Sequence, residues 1–552
     1  MSPRADLRRW VTLAGLAAVP VVFFTVFFVL PVGGMLGRGF VVEDRLDVGA
    51  VLDVLARPRV RRVLWFTTWS ASAATAVSVA LGLPSAYVLH RLDFPLRGLV
   101  RALLLVPFVL PTVVVGVAFR QLLGESGPLG FAGLDGSAIA IVAGLAFFNV
   151  AVVIRGVGAA WESLDSRPEE AAAALGASPA QVFRTVTLPA LRPALVSCAS
   201  VVFLFCATSF GVVLTLGGLR YSSVETEIYL LTTNLLDLQA AAALSIVQLV
   251  AVTVLLTLAG RLRASPHPAV SRVVARARRV RRSDAGPVAV TVLLLGLVAA
   301  PVLTLVVGSL RVDDTWSLDS YRALDTVGSD QALLVPVTDA LVVSLRTAVD
   351  ATWMALLLGL LVSFVVTRRS RSRTERRVRG LLDGFFMLPL GVSAVTLGFG
   401  FLITLDRPPL ALRDSALLVP IAQALVALPL VVRTIVPVLG GIDDRQRQAA
   451  ASLGAGPLRT LLTVDLPVVW KPLLAAAGFA FAVSLGEFGA TAFLARDEHP
   501  TLPVVIFRLI GRPGDLNYGM ALAASVVLAA TTALVMLVVE RLRVGSAQVG
   551  SF

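Results

Sequence analysis

The stretch Glu170-Ala-Ala-Ala-Ala-Leu-Gly176, followed by Leu188-Pro189, recurs in this chain as Gln448-Ala-Ala-Ala-Ser-Leu-Gly454, followed by Leu466-Pro467. In both copies the proline comes thirteen residues after the glycine (189 − 176 and 467 − 454), and the copies lie 278 residues apart (448 − 170). The same offset relates Pro111 to Pro389, Arg155 to Arg433, Phe210-Gly211 to Phe488-Gly489, and Ile228-Tyr229 to Ile506-Phe507. The chain therefore consists of two related halves in one polypeptide.

The composition places both halves in a membrane. Hydrophobic residues make up 57% of the chain and charged residues 15%, whereas a soluble domain has about 45–50% apolar residues. The mean hydropathy is +0.85. Backbone polar groups in lipid must be hydrogen-bonded within their own segment, so we predict an all-α integral membrane protein.

Twelve apolar runs are long enough to cross a bilayer, which takes about 20 residues. In the first half they are residues 11–36, 63–89, 99–123, 137–160, 194–217 and 238–259. In the second half they are residues 287–310, 340–367, 381–404, 416–439, 472–495 and 518–539. The first run is too long for the core of a signal peptide and has no small-residue cleavage site, so we expect it to be a retained span. The predicted architecture is two parallel six-span domains, residues 1–260 and 287–552, joined by an Arg-rich linker, residues 261–286.

The arginines predict the orientation, because basic residues at span ends are retained in the cytoplasm. Three groups fall on one side of a twelve-span count: Arg4, Arg8 and Arg9, eight arginines between residues 261 and 282, and seven between residues 368 and 379. Both termini and the linker are therefore predicted to be cytoplasmic in a multi-pass protein of the cell membrane. The acidic connection 312–339 then lies outside. One loop contradicts this assignment, because Arg57, Arg59, Arg61 and Arg62 would also lie outside.

Several other functions are excluded by the same sequence. The net charge of +13 comes mostly from the basic loops that flank spans, so we expect no nucleic-acid partner. The two cysteines, Cys198 and Cys206, share one span and cannot form a disulfide framework. The three histidines are widely separated, so we expect neither a metal site nor catalytic residues.

The repeated stretches are polar interruptions between the fourth and fifth spans of each half. Ser166-Arg-Pro-Glu169 has the spacing of a capping box with an early proline, which predicts a helix from Ser166 to Gly176. Ser178-Pro179 predicts a second short helix that ends at Leu188-Pro189. A face of alanines is small enough to fit closely into a groove on a partner protein.

Glu-Ala-Ala, three residues, Gly, and Leu-Pro thirteen residues later resembles the EAA loop of binding-protein-dependent ABC importer permeases, and both halves carry it. The resemblance implies that each loop holds a coupling helix that docks on a cytoplasmic ATPase subunit. The coupling residues it implies are Glu170, Ala171, Ala172, Gly176, Leu188, Pro189, Gln448, Ala449, Ala450, Gly454, Leu466 and Pro467. Gln448 replaces the glutamate of the motif, and one extra residue precedes Pro472 relative to Pro193, so the second loop is expected to couple differently.

Two further pairs of stretches are similar to the fused permeases of thiamine and ferric-iron importers. They are residues 207–218 with 224–229, and Ser484-Leu-Gly-Glu-Phe-Gly489 with Thr501-Leu-Pro503. The resemblance covers roughly residues 63 to 539. It implies thiamine as the first choice of solute and ferric iron as the alternative, delivered by an extracytoplasmic binding protein.

The energy source is expected on another chain. A phosphate-binding loop needs a lysine after its glycines, and the only lysine is Lys471, between Trp470 and Pro472. Two ABC ATPase subunits would therefore hold the ATP and Mg²⁺, and this chain would need no cofactor and catalyse no reaction. An ion-coupled secondary transporter stays as a less favoured alternative, because parallel six-span halves also occur in such carriers.

Polar residues inside apolar spans are costly and are often functional. Glu487 could favour a cation on the transport route, and Thr208 and Ser209 occupy the corresponding place in the first half. Each has a purely structural alternative in a hydrogen bond or a packing contact. Weaker candidates are Asn149, Asp350 and Gln248. Glu225 and Glu227 are predicted to contact the binding protein at the external end of the connection between the fifth and sixth spans.

Overall fold

The computed structural model describes residues 15–42, 45–46, 48–218, 220–263, 278–312, 315–367, 373–406 and 410–545. Within these ranges, ten helices are long and apolar enough to cross a membrane. They are Gly15–Phe40, Pro58–Arg91, Ala138–Glu162, Pro179–Ala207, Leu238–Leu258, Arg282–Ser309, Val337–Thr367, Leu418–Gly440, Leu461–Leu485 and Asp515–Val539. The prediction of an all-α membrane protein is confirmed. Arg4, Arg8 and Arg9 lie outside the described residues, as do linker residues 264–277.

Shorter elements connect or interrupt these spans. The helices are Val48–Ala56, Arg97–Val109, Thr112–Leu123, Arg167–Ala174, Gly211–Leu216, Val224–Thr233, Asp319–Arg322, Arg373–Phe386, Ala394–Thr404, Asp444–Ser452, Pro457–Thr460, Thr491–Leu494 and Leu502–Ile510. Two antiparallel strand pairs close loops, Val41–Val42 with Arg45–Leu46 and Arg311–Val312 with Thr315–Trp316. A parallel pair joins Leu92–Asp93 to Arg278–Arg279.

The third predicted span of each half is a broken helix. Arg97–Val109 and Thr112–Leu123 meet at a sharp bend, and Arg373–Phe386 and Ala394–Thr404 are separated by the 3-10 turn Leu388–Gly391. Pro111 and Pro389 lie where the two third spans are interrupted, because proline has no N–H to donate and its ring clashes with the preceding helical turn. The predicted total of twelve spans is consistent with ten long helices and two broken ones.

The fifth span of each half is also interrupted, which the hydropathy pattern did not indicate. The long helices end at Ala207 and Leu485, and the short helices Gly211–Leu216 and Thr491–Leu494 follow. We call residues 208–210 and 486–490 the two breaks. A Cβ added to Gly486 would lie 3.1 Å from the ring of Pro111, so the second break packs tightly on the first half of the chain.

The two halves interlock through their first helices. In each half the second, fourth and fifth spans pack together, and the first span packs both on its own sixth span and on the other half. Gly15–Phe40 packs against Ala394–Thr404, where Gly34 faces Thr404. Ala285–Ser309 packs against Pro58–Arg91 and Thr112–Leu123. The domain boundaries at residues 260 and 287 stay a prediction. Helices of the two halves that they define pack against each other.

Candidate functional site

The two predicted coupling segments, which we define as residues 165–189 and 443–467, end their first helices in the same way. Helix Arg167–Ala174 leads to Gly176 with φ +87°, and helix Asp444–Ser452 leads to Gly454 with φ +80°. The N–H of Ala177 donates to the carbonyl of Ala172 at 3.1 Å, and the N–H of Ala455 donates to that of Ala450 at 3.0 Å. This is the Schellman motif, in which a left-handed residue reverses the chain and satisfies the last helical carbonyls.

The helix of the first segment begins at the predicted position but is capped by a different residue. Ser166 makes no capping hydrogen bond to the backbone, and its hydroxyl donates to Glu170 at 2.8 Å. The carboxylate of Asp165 instead accepts from the N–H of Arg167 at 3.0 Å. Asp443, 278 residues later, accepts from Arg445 at the same distance. The capping box predicted at Ser166 is therefore wrong, and the aspartate just before it does the capping.

The second predicted helix does not end at Leu188-Pro189. It begins at a capping box between Ser178 and Gln181, widens into the π-helical turn Phe183–Thr187 and continues as Leu188–Ala207. The second half repeats this with Leu461–Asp465 before Leu466–Leu485. A π turn lets the helix accommodate a proline, which lacks the N–H of a regular helical hydrogen bond, without breaking. Each coupling segment is thus continuous with the fifth span.

Charged side chains stabilise the fold of the two coupling segments. Glu169 accepts a hydrogen bond from Thr187 at 2.8 Å and pairs with Arg91 at 2.5 Å. The residues 278 positions later are Arg447 and Asp465, which form a direct ion pair at 2.8 Å. The position that carries an anion in the first segment therefore carries a cation in the second. Both arrangements join the first helix of the segment to the π turn.

Most of the predicted coupling residues lie on the surface, together with a pair that the prediction missed. Ala171 and Ala449 are exposed and Ala172 and Ala450 are half-buried, so the two segments present the same face. Glu170 and Gln448 are also exposed. Beside the glycines, Leu175 is 90% exposed and Leu453 is 86% exposed. A leucine at the same place in both repeats was the signal available in the sequence.

The end of the linker lies beside the first coupling segment. Arg278 pairs with Asp284 at 2.7 Å and donates to the hydroxyl of Tyr87 at 2.6 Å. Its strand pairs with Leu92–Asp93, directly after Arg91, which contacts Glu169. With the broken helix 373–404 counted as one span, six spans separate the two segments, so we expect them to emerge on the same face of the membrane.

The arginines that contradict the predicted orientation are partly neutralised. They lie at the start of helix Pro58–Arg91, at the end opposite to Arg91, and so are on the face away from the first coupling segment. There Arg57 pairs with Asp237 at 2.8 Å and Arg59 pairs with Glu227 at 2.5 Å. Partial burial acts to raise the pKa of Asp237, but hydrogen bonds from Arg57 and the N–H of Ala240 hold it below its ordinary value.

Glu225 and Glu227, predicted to contact a binding protein, are both buried. Glu225 accepts hydrogen bonds from Gln248 and, at 3.0 Å, from Ser393 of the other half. The contact with a binding protein stays a prediction, and the burial favours a structural or pathway role.

Two depressions open on the face away from the coupling segments, of about 470 Å³ and 290 Å³. Residues at related positions line them, Arg508 and Arg512 in the larger and Leu230 and Asn234 in the smaller.

The predicted pathway residues lie at the two breaks. Thr208 donates to the carbonyl of Leu204 at 2.9 Å, and the N–H of Ser209 donates to Cys206 at 3.3 Å. The carboxylate of Glu487 accepts from the N–H groups of Ala490 at 2.8 Å and Thr491 at 3.1 Å. Its hydrogen bonds are therefore to backbone groups three and four residues further along the same span rather than to another span.

The weaker candidates separate into two groups. Gln248 lies beside Glu225, at the contact between the halves. Asn149 is buried inside the first half and donates to Leu145 and to the sulfur of Cys206. Asp350 accepts from the indole of Trp353 at 3.3 Å in an exposed contact. The fold thus brings Gln248 to the contact between the halves and Asn149 beside Cys206, just before the first break, and leaves Asp350 in an exposed contact.

Comparison with known proteins gives the same division into halves. The family described as "Binding-protein-dependent transport system inner membrane component" matches residues 78–267 and 355–544. The thiamine transport system permease protein ThiP of Brucella abortus (strain 2308) is 28% identical over 469 residues, 82% of each chain. That of Escherichia coli (strain K12) is 27% identical over 465 residues, 81% of this chain and 83% of the relative. The molybdenum transport system permease protein ModB of Mycobacterium bovis is 33% identical over 259 residues, 45% of this chain and 92% of the relative. Since the family matches both halves and more than half of the chain, this protein belongs to the inner membrane components of binding-protein-dependent transport systems.

Proposed function

We propose that this chain is the permease subunit of an ABC importer, with two permease domains fused in one polypeptide, and that its solute is thiamine. The observation that carries the proposal is the shared geometry of the two coupling segments. Each ends its helix at a left-handed glycine and exposes a leucine beside it. Similarity over most of the chain to two proteins named as thiamine permeases favours thiamine.

The coupling segments would each dock on one ABC ATPase subunit in the cytoplasm. An exposed leucine beside small alanines suits a groove on a partner, because the leucine loses its contact with water on docking. Leu175 and Leu453 would enter the two grooves, with Gly176 and Gly454 fixing the turn behind them. ATP and Mg²⁺ would be bound by the ATPase subunits, and this chain would convert their closure into a change of helix packing.

A solute-binding protein would dock on the opposite face of the membrane. Both termini and the linker would then lie in the cytoplasm, on the side of the coupling segments. The two depressions there lie at related positions of the two halves. Asp497 and Arg512 make the rim of the larger one exposed and charged. A two-lobed binding protein could thus contact each half at an equivalent place.

Uptake measurements separate the possible solutes. Radiolabelled thiamine, ferric iron and molybdate would be supplied to cells that lack the gene and to complemented cells. Loss of thiamine uptake alone supports the proposal, and loss of iron uptake alone moves the function to the alternative solute. Loss of molybdate uptake would follow the shorter relative.

The same cells test the energy source. Collapse of the proton gradient with ATP maintained should leave uptake unchanged in an ATP-driven importer. Loss of uptake under that condition would favour an ion-coupled carrier instead.

A further inference from the structure

The two breaks meet at the contact between the halves. Phe210 ends the first break and Phe488 lies in the second, 278 residues later, and their ring centroids are 5.1 Å apart. Both rings are almost fully buried, in a hydrophobic core that contains residues of both halves. A repeat-related pair of residues in direct contact lies on the pseudo-twofold axis that relates the halves.

Further aromatic rings extend this pair in a nearly symmetric way. Tyr229 lies 5.4 Å from Phe210, and its repeat equivalent Phe507 lies 5.5 Å from Phe488. Tyr229 also contacts Phe493 of the other half at 5.4 Å. We call these five residues the aromatic cluster. It fills the space between the halves at the place where their fifth spans are interrupted.

Two buried carboxylates adjoin the aromatic cluster. Glu487 directly precedes Phe488, and Glu225 lies on the same short helix as Tyr229. Neither has an arginine or lysine within ion-pairing distance among the described residues. Beside Glu225, the buried carbonyl oxygen of Gln248 has no hydrogen-bond partner in the described part of the chain. A buried carboxylate without a counter-ion is costly, and so is a buried oxygen without a hydrogen bond. Inside a membrane, such groups mark ion and solute routes.

The coupling segments connect directly to this place. The helix that leaves the first segment runs from Pro179 to Ala207 and stops one residue before the first break. The helix that leaves the second segment stops at Leu485, one residue before the second break. A motion imposed on both segments therefore reaches both sides of the aromatic cluster.

We propose that the aromatic cluster is the closed gate of the transport route and that Glu225 and Glu487 make this gate selective for an organic aromatic cation. This inference rests on the proposed function. Aromatic faces attract cations, most strongly where water is excluded, and a flat aromatic solute can stack between the rings as they separate. The two carboxylates would balance the charge of the solute in the low-dielectric interior.

The gate is tested with the full complex of this chain, its ATPase and its binding protein in liposomes loaded with radiolabelled thiamine and mannitol. Without ATP, the double variant Phe210→Ala/Phe488→Ala should release both solutes at least about tenfold faster than the wild type. The matched control is Phe119→Ala/Phe147→Ala, which removes an aromatic contact of 5.4 Å inside the first half. The control should stay closed. Equal release from both variants, or a tight Phe210→Ala/Phe488→Ala variant that still assembles with its ATPase, would overturn the proposal.

The selectivity is tested in the opened variant. Adding Glu225→Gln and Glu487→Gln should lower the ratio of thiamine to mannitol release several-fold, because both variants keep the shape of the side chain and remove its charge. An unchanged ratio would remove the carboxylates from the proposal.

These assays stand apart from the proposed function, because a leak through an opened gate needs no transport cycle. A leak without thiamine uptake in cells would keep the gate and reject the solute. Thiamine uptake in cells with no leak from the Phe210→Ala/Phe488→Ala variant would support thiamine as the solute and reject the gate.

Discussion

At the scale of single residues, Gly176 and Gly454 are positions where the backbone conformation favours glycine. Their left-handed φ costs a residue with a Cβ about 1–2 kcal/mol, and no atom lies within 4 Å of a Cβ added to either. Gly176→Leu with Gly454→Leu should therefore abolish uptake through strain in the turn, while membrane insertion stays normal. Gly456→Ala, in the same loop with open space and no positive φ, should keep wild-type uptake. Normal uptake in the double variant would contradict the coupling role.

The exposed leucines give a second prediction at this scale. Leu175→Asp with Leu453→Asp should greatly reduce co-purification of the ATPase, because a carboxylate cannot be buried cheaply in an apolar groove. The fold should be unaffected, since both side chains are almost fully in solvent. Phe131→Asp is the control, because Phe131 is 87% exposed but lies on the opposite face. Unchanged ATPase binding by the leucine variant would count against docking at these residues.

At the scale of elements, the ion pair between Arg447 and Asp465 joins a surface helix to the π turn that begins the fifth span. Arg447→Asp or Asp465→Arg alone places like charges at this contact, and uptake should fall by about tenfold, equivalent to about 1.4 kcal/mol. The double reversal should recover most of the activity. Failure of the double variant to exceed either single variant would show that the pair does not act as a unit.

The elements also show where sequence reasoning stopped. The glycine turn of both segments and the start of the first surface helix were predictable, because they follow from the repeat offset and from local sequence. The capping residue was not, since Asp165 rather than Ser166 accepts the backbone hydrogen bond. The breaks after Ala207 and Leu485 were not, since the apolar composition continues through them and hydropathy averages over a whole span. The burial of Glu225 and Glu227 depends on Gln248 of the following helix and on Ser393 and Arg59, each 168 residues away in the sequence.

At the scale of the whole molecule, the crossing of each first helix predicts how the halves depend on each other. Residues 1–263 and 278–552 expressed as separate chains in one cell should assemble and co-purify. Either half expressed alone should be degraded, because its first helix loses its contacts with the other half and keeps only those with its own sixth span. The groove that receives the other half's first helix is left empty at the same time. A half that is stable alone, or two halves that do not associate, would contradict the interlocked packing. Membrane yield and pull-down of a tagged half measure both outcomes.

The unbroken helix that leaves the first coupling segment has a mechanical consequence. Its 29 residues make a rod of about 43 Å at a rise of about 1.5 Å per residue. A rod of this length turns a tilt of roughly 5° at one end into a displacement of about 4 Å at the other. That displacement is comparable with the 5.1 Å between the rings of Phe210 and Phe488. A few degrees of tilt at the coupling segment would therefore displace the other end of the helix, across the bilayer, by several ångströms. The stiffness of the π turn would determine how much of this displacement is lost.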